Sequence, residues 1–230
     1  MSIAMPLLAL LAAGLGVAPL APAQAQPVVV ELFQSQGCSS CPPADANLNA
    51  IADRPDVLAL SFAVTYWDQL GWKDTFASPA FTARQYAYAR GLHHPNVATP
   101  QVVINGRRDL VGNDGRALDA AIHAAGEPAG ASLAIARDSV AIAAGSAPAR
   151  GADVWLVRYD PRVQLVAIRH GENGGKTLPH RDIVRQFVRL GGWFGAARSF
   201  PLPRGGGPGL KTAILVQTAD GGPILAAAKL

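Results

Sequence analysis

Cysteine is scarce in this chain: Cys38 and Cys41 are the only two in 230 residues. A framework of several disulfides is therefore excluded as the source of its stability. Charge is also thin, at 16% Asp, Glu, Lys and Arg, with a formal net charge of +4. The basic residues are scattered and form no Lys/Arg run, so no nucleic-acid partner is expected. The five histidines show no zinc-type spacing, and Gly171 to Gly175 lacks the Gly-Lys-Ser/Thr ending of a phosphate loop. No cofactor is implied. Beyond the first 25 or so residues, no apolar run is long enough to cross a bilayer. What is plentiful is apolar surface: half of the residues are hydrophobic. That excludes a disordered chain and allows one large core or two smaller ones.

The opening stretch bears on the compartment. Met5 to Ala25 is rich in Leu and Ala and ends Ala21-Pro22-Ala23-Gln24-Ala25-Gln26. Small residues at Ala23 and Ala25 fit a signal-peptidase site, with cleavage before Gln26. Residues 1–25 are expected to be a signal peptide, giving a periplasmic or secreted protein with no stable membrane insertion after cleavage. The stretch carries no Lys or Arg, so its positive end reduces to the terminal amine; an uncleaved anchor is the alternative. Pro6, Pro19 and Pro22 oppose a stable membrane span.

The N-terminal half, residues 26–127, alternates strand and helix signals. Val28 to Phe33 is a β-prone run, followed by Gln34-Ser35-Gln36-Gly37-Cys38-Ser39-Ser40-Cys41-Pro42-Pro43. Proline suits a first helical turn, whose N–H groups lack intrahelical partners. Ala44, Leu48, Ile51 and Ala52 then make an apolar stripe at helical spacing. The cysteines thus sit where a strand feeds a helix, with Cys38 expected at or near the helix N-terminus. Partial positive charge there stabilises a thiolate. Cys38 is the expected attacking thiolate and Cys41 the resolving thiol. A bridge this short removes little unfolded-state entropy, so it is a poor staple.

Asp56 to Val64 reads as a second buried strand. Ser78-Pro79 opens a helix that stops at Gly91. Thr99-Pro100 precedes the strand Gln101 to Ile104, Asn105-Gly106 is a hairpin turn, and Leu118, Ala121, Ile122 and Ala125 mark a closing helix. A Cys-x-x-Cys after the first strand of such an order points to a thioredoxin-like motif. Thr99-Pro100 with Gln101 to Arg107 resembles that superfamily's cis-proline strand and hairpin. The resemblance implies that Pro100 is cis and lies against the Cys38–Cys41 pair. A closer match lies in Glu31-Leu32-Phe33, Ser35 to Asp45, Tyr66-Trp67-Asp68, Gly71-Trp72-Lys73-Asp74 and Gly171 to Leu178. These resemble a family of secreted bacterial thioredoxin-like proteins known as a domain of unknown function, over nearly the whole mature chain. A His and an Asp usually stand in that family where this chain has Ala63 and Thr65, so any role of those groups is not expected here.

Residues 128–230 change texture. Ser132 to Ala136 with Ser139 to Ala144, Val154 to Tyr159 with Val163 to Ile168, and Thr212 to Thr218 with Ile224 to Ala228 read as three hairpins. Ile183 to Leu190 fits strand or helix. An antiparallel β-rich domain, a sandwich or small barrel, is expected after a boundary near Gly126 to Gly130. The fold class expected is therefore α/β, a thioredoxin-like N-terminal domain followed by a β-rich C-terminal one.

The expected function is thiol–disulfide exchange with protein thiols or disulfides, carried by Cys38, Cys41 and Pro100. Two other readings stay open. One is a copper-handling chaperone that adds His93 or His94 to the two thiolates. The other is a non-enzymatic binding module with a structural disulfide. Tyr66, Trp67, Trp72 and Phe76 read as a packed loop or a substrate platform, and Asp68 as a turn residue or a proton acceptor for Cys41.

Overall fold

The computed structural model describes residues 26–230. The expected signal peptide lies outside the described residues. Strands β1 (Val28–Gln34) and β2 (Val57–Ala63) run parallel, from Val28 opposite Val57 to Gln34 opposite Ala63. Helix α1 (Pro42–Ile51) makes the crossover between them. Helix α2 (Pro79–Gly91) leads to β3 (Gln101–Ile104), which pairs antiparallel with the other side of β1. β4 (Arg108–Leu110) returns along β3, and α3 (Gly115–Ala125) follows.

Every residue of β1 and β2 is buried, as expected of strands covered on both faces. Successive side chains point to opposite faces. Val28, Val30 and Leu32 pack with Ala44 and Leu48 of α1 and with Leu118, Ala121 and Ile122 of α3. Val29 and Phe33 pack on the other face with Phe81 and Tyr88 of α2. On that second face Glu31 is buried and ion-paired with Arg84 of α2, at 2.7 and 3.0 Å.

Local signals set the ends of these elements. Ser78 is extended, its hydroxyl accepts the Ala80 N–H, and Pro79 takes the first helical position. Asn105 and Gly106 both have positive φ, 48° and 62°, the conformation a two-residue hairpin turn demands. The Asn105 side chain accepts the Val29 N–H at 2.8 Å and donates to the Gly126 carbonyl at 2.9 Å. The turn is thereby tied to the sheet it serves.

The remaining strands are β5 (Leu133–Ile135), β6 (Ser139–Ile142), β7 (Ala152–Asp160), β8 (Gln164–Ala167), β9 (Thr177–His180), β10 (Ile183–Trp193), β11 (Arg198–Pro201), β12 (Lys211–Thr218) and β13 (Ile224–Lys229). Four of them extend the first sheet, whose order is β13-β12-β7-β10-β2-β1-β3-β4. The join is parallel, with Ile183 of β10 opposite Ser61 of β2. Val157, Tyr159, Ala213, Leu215, Ile224 and Ala227 enter the same core as Phe33, Phe62 and Tyr88. The boundary expected near residue 127 therefore lies along a chain whose two halves share one sheet and one core. The result is a mixed α/β fold with a large mixed sheet and few helices.

A three-stranded sheet, β11-β6-β5, covers one face of this extension. Val140, Ile142 and Phe200 meet Val154, Leu156, Ile214 and Val216 there. The β5–β6 and β12–β13 hairpins form as expected. The expected hairpin of β7 with β8 does not. β7 is paired on both sides by the longer strands β10 and β12, while β8 pairs with β9. With both edges of β7 taken, Asp160 shapes the exit from the strand. Its carboxylate accepts the Arg162 N–H, the Arg162 guanidinium and the Gln164 amide, which turns the chain out of the sheet. Ile183 to Leu190 is strand, as part of β10.

Candidate functional site

The last residues of β1 run into a tight turn. The Cys38 N–H donates to the Ser35 carbonyl at 3.0 Å and the Cys41 N–H to the Cys38 carbonyl at 3.2 Å. Cys38 and Cys41 are disulfide-bonded, with Cα atoms 5.4 Å apart. Cys41, not Cys38, is the N-cap of α1, and Pro42 and Pro43 fill the first helical positions. Cys38 stands three residues ahead of that N-cap, outside the first helical turn. The expected electrostatics are also weakened, because the two prolines carry no N–H to turn toward an anionic sulfur.

The Thr99–Pro100 bond is cis. The Thr99 carbonyl oxygen lies 3.7 Å from the Cys38 sulfur, and the Ser40 hydroxyl lies 3.4 Å from it. Trp67 donates its indole N–H to the Thr99 hydroxyl at 2.7 Å. Cys38, Cys41 and Pro100 are therefore brought together, as the resemblance implied.

Both cysteines are 0% exposed. The loop 168–176 between β8 and β9 is fastened to the turn that holds them. Asn173, itself fully buried, donates its side-chain amide to the Gln36 carbonyl at 3.0 Å and to the Cys38 carbonyl at 2.8 Å. Lys176 donates to the Asn173 side-chain oxygen at 2.9 Å and holds that amide in orientation. The Glu172 carboxylate accepts the Ser39 hydroxyl at 2.6 Å and the Ser39 N–H at 3.0 Å. The hydroxyl first, then the N–H, hold the Glu172 carboxyl below the usual carboxylate range. The loop closes on itself through Gly175 N–H to Ile168 carbonyl at 2.8 Å and Gly174 N–H to Gly171 carbonyl at 3.0 Å.

The other wall is the aromatic loop after β2. The Asp74 carboxylate accepts the Gln36 N–H at 2.7 Å and the Phe76 N–H at 2.8 Å. Burial pushes the Asp74 carboxyl up, against those two hydrogen bonds. The Gln36 side-chain oxygen accepts the Trp72 indole N–H at 2.9 Å. Asp68 accepts the Asp74 N–H at 3.1 Å and opens a short 3-10 turn, Asp68–Leu70. It serves the turn. Tyr66 and Trp67 pack on the core beneath α2. Ala63 ends β2, and Thr65 bonds to the Thr82 hydroxyl at 2.9 Å.

His93 and His94 are exposed, and His94 lies 3.0 Å from Asp109. Among the described residues no group of three or more His, Cys, Asp or Glu is placed to hold a metal ion. Neither histidine therefore joins the two sulfurs in such a group.

Several residues of the site were not singled out by the sequence. Asp45 of α1 and His180 of β9 are both buried, with 3.6 Å between Asp45 Oδ1 and His180 Nδ1. Asp74, Glu172 and Asn173 complete the surround. The available signals were the stretches Ser35 to Asp45, Gly71 to Asp74 and Gly171 to Leu178, which carry the family resemblance without revealing what they touch.

Fold and site together define a class: a mixed α/β protein with a buried Cys-x-x-Cys disulfide at a strand–helix junction. The family described as a protein of unknown function, DUF1223, matches residues 29–217, and the chain belongs to it. The crystal structure of a protein from Agrobacterium tumefaciens is similar, with 35% identity and a TM-score of 0.71 over 90% of this chain and 95% of that one. HBP35 of Porphyromonas gingivalis shares the fold, with 14% identity and a TM-score of 0.58 over 90% of this chain and 75% of its own. No curated protein matches this chain.

Proposed function

We propose that this protein is an exported, thioredoxin-like thiol–disulfide oxidoreductase acting on protein thiols or disulfides. The observation that supports the reading most is the approach of the cis-proline segment to the pair: the Thr99 carbonyl lies 3.7 Å from the Cys38 sulfur. A partner's thiolate attacks the Cys38 sulfur. The Cys38–Cys41 bond breaks, a mixed disulfide forms on Cys38, and Cys41 leaves as a thiolate that takes a proton. A second partner thiol then displaces Cys38, so the partner dithiol is oxidised and the pair reduced by two electrons. The same steps reverse when the reduced pair meets a partner disulfide, and the reduction potential sets the direction.

Both sulfurs are buried, so exchange requires local opening, and the loop 168–176, fastened to the Cys38 carbonyl and to Ser39, is the segment whose release we propose. Opening has a chemical consequence. It frees the Ser39 N–H and removes the negative Glu172 from the turn, and both changes favour a thiolate at Cys38. In the closed form the pair is held as a disulfide; in the open form it becomes reactive.

Full burial of the sulfurs also favours a second reading, a static disulfide in a binding protein. Redox titration against glutathione separates the two. A midpoint above about −300 mV, with a mixed disulfide trapped on Cys38 in Cys41→Ser, is the result expected for exchange. A lower midpoint with no trapped species makes the bridge structural.

A further inference from the structure

A cavity of about 240 Å³ lies at the end of β2 away from the Cys38 turn. Val57, opposite Val28, begins that strand, whereas Ala63 lies opposite Gln34, where β1 runs on toward Cys38. Four segments meet around the cavity: the α1–β2 loop with Arg54, the β9–β10 turn with Arg181 and Asp182, the start of β12 at Lys211 and the end of β13 at Lys229. Tyr159 of β7 completes the wall. The thiol–disulfide reading uses none of these groups. The volume is below the ~300 Å³ at which pockets for drug-sized molecules begin, so a ligand held there is small.

Tyr159 and Asp182 are each only 4% exposed. Among the described residues neither the Tyr159 hydroxyl nor the Asp182 carboxyl has a hydrogen-bond partner. Buried polar groups are nearly always paired, so two exceptions in one cavity call for an explanation. Beside them stand two cations without an ionic partner. Lys229 donates to the Val57 carbonyl at 2.6 Å and to the Arg54 carbonyl at 3.3 Å. An ammonium has three N–H groups, which leaves one free. Among the described residues neither Lys211 nor Lys229 pairs with a carboxylate, that of Leu230 at the cavity wall included. Burial pushes the Lys229 ammonium down, the charge of Lys211 pushes it further, and Asp182 opposes both. The other ions of the wall are matched: Arg181 holds Asp53, and Arg54 holds Asp56 and Asp119.

We propose that this cavity binds a small oxyanion that carries a proton, of which inorganic phosphate is the simplest. Lys211 and Lys229 supply the positive charge, the Tyr159 hydroxyl donates to one oxygen, and Asp182 takes another. Burial pushes the Tyr159 hydroxyl up to about 12, with the charge of Asp182 adding to the shift, so it stays a donor at neutral pH. Burial likewise pushes the Asp182 carboxyl up to about 7, against Arg181, Lys211 and Lys229 and with Asp53. Asp182 is therefore a donor in mild acid and an acceptor in mild alkali, and that sets the selectivity. Hydrogen phosphate keeps an O–H to donate to the ionised carboxylate. Sulfate has none, so above neutrality two anions face each other with no proton between them. Below neutrality the protonated carboxyl donates to either anion.

Titration calorimetry of the purified protein with sodium phosphate and sodium sulfate, at matched ionic strength because salt screens such contacts, tests the site. At about pH 8 phosphate should bind at least about tenfold tighter than sulfate, the worth of one hydrogen bond to a charged group. At about pH 5.5 sulfate should gain at least about tenfold, as the carboxyl becomes a donor. Methyl phosphate loses its last proton near about pH 6 and should behave at alkaline pH as sulfate does, which separates free phosphate from a phosphoryl group on a larger molecule. Asp182→Asn cannot ionise and keeps an amide donor, so its preference for phosphate should disappear in alkali. Lys211→Gln should weaken both anions by at least about tenfold, with its urea midpoint unchanged. No heat from either anion up to about 10 mM, or a phosphate affinity that Lys211→Gln leaves within twofold, overturns the proposal and leaves the wall solvated by water alone. Equal binding of phosphate and sulfate at alkaline pH overturns the role of the proton. None of these results bears on the disulfide, so the two readings stand or fall separately.

Discussion

Removing the Asn173 amide should open the site without touching the sulfurs. Asn173→Ala deletes two buried hydrogen bonds, to the carbonyls of Gln36 and Cys38 at 3.0 and 2.8 Å. Each contributes about 1 kcal/mol net, so the closed loop loses about 2 kcal/mol relative to the open one. At about 1.4 kcal/mol per factor of ten, the open population rises ~30-fold. If a small reductant reaches the disulfide through local opening that is fast relative to reduction, the observed rate is proportional to that population. Reduction by dithiothreitol under native conditions should therefore accelerate ~30-fold, up to the rate of an unprotected disulfide.

The assay is direct: dithiothreitol in excess, acid quench, alkylation of the released thiols and counting by mass. Urea denaturation runs in parallel, because a general loss of stability would also speed reduction. Glu172→Gln supplies the control for charge. It keeps an acceptor for Ser39 but removes the ionised carboxylate from the turn, so it should accelerate reduction by less than Asn173→Ala does. A reduction rate that stays within twofold in Asn173→Ala, at unchanged global stability, would show that the loop does not gate access. The sulfurs would then be reached only by a larger unfolding, and the opening step of the proposed cycle would be lost.

Two further outcomes test the packing around the site. Burial pushes the Asp182 carboxyl up to about 7, whereas the unfolded chain ionises near about 3.9. Stability is thus complete at acid pH and falls as pH rises between those values. Asp182→Asn, which suits the φ of 50° at that position, should gain up to about 4 kcal/mol above neutrality and nothing near pH ~3; urea midpoints across pH check it, and an equal gain at both ends would refute the assignment. Glu31→Gln leaves Arg84 buried beside a neutral amide and should cost about 3–5 kcal/mol. A loss below about 1 kcal/mol in urea denaturation would mean that the pair is not the buried charge lock its geometry indicates.

Much of the N-terminal half was legible because its signals are local. Ser78-Pro79 announces a helix start through its own hydroxyl and fixed φ. Asn105-Gly106 announces a hairpin because few residues tolerate positive φ twice in succession. The valine run of β1 reads as a buried strand because every position from Val28 to Phe33 is apolar except Glu31, whose partner Arg84 is 53 residues away. That distance marks where legibility stops. Nothing near Asp160 says that β7 will pair with β10 and β12 while β8 turns outward, since the choice is made by strands competing for the same edges. The alternation of β8 is ordinary, and so is that of β7. The hairpin expected between them was the nearer option, and β10 and β12 occupy both edges of β7 instead.

The same excursion builds the site. β7 and β10 are neighbours in the sheet, and β10 reaches β2 at Ile183. Everything between β7 and β10 must therefore hang from the sheet beside the end of β2, on the side where α1 begins. That segment carries Glu172 and Asn173 at the tip of one hairpin and His180 at the end of its return strand. The tip is fastened to the Cys38 turn from outside, and the return strand puts an unpaired imidazole beside Asp45 of α1. The disulfide turn comes from the first strand and helix, while the loop that fastens it comes from more than 130 residues later, with Asn173 135 residues beyond Cys38. A Cys-x-x-Cys in the N-terminal half is legible alone, but the control of its chemistry is written into the pairing order of the whole sheet.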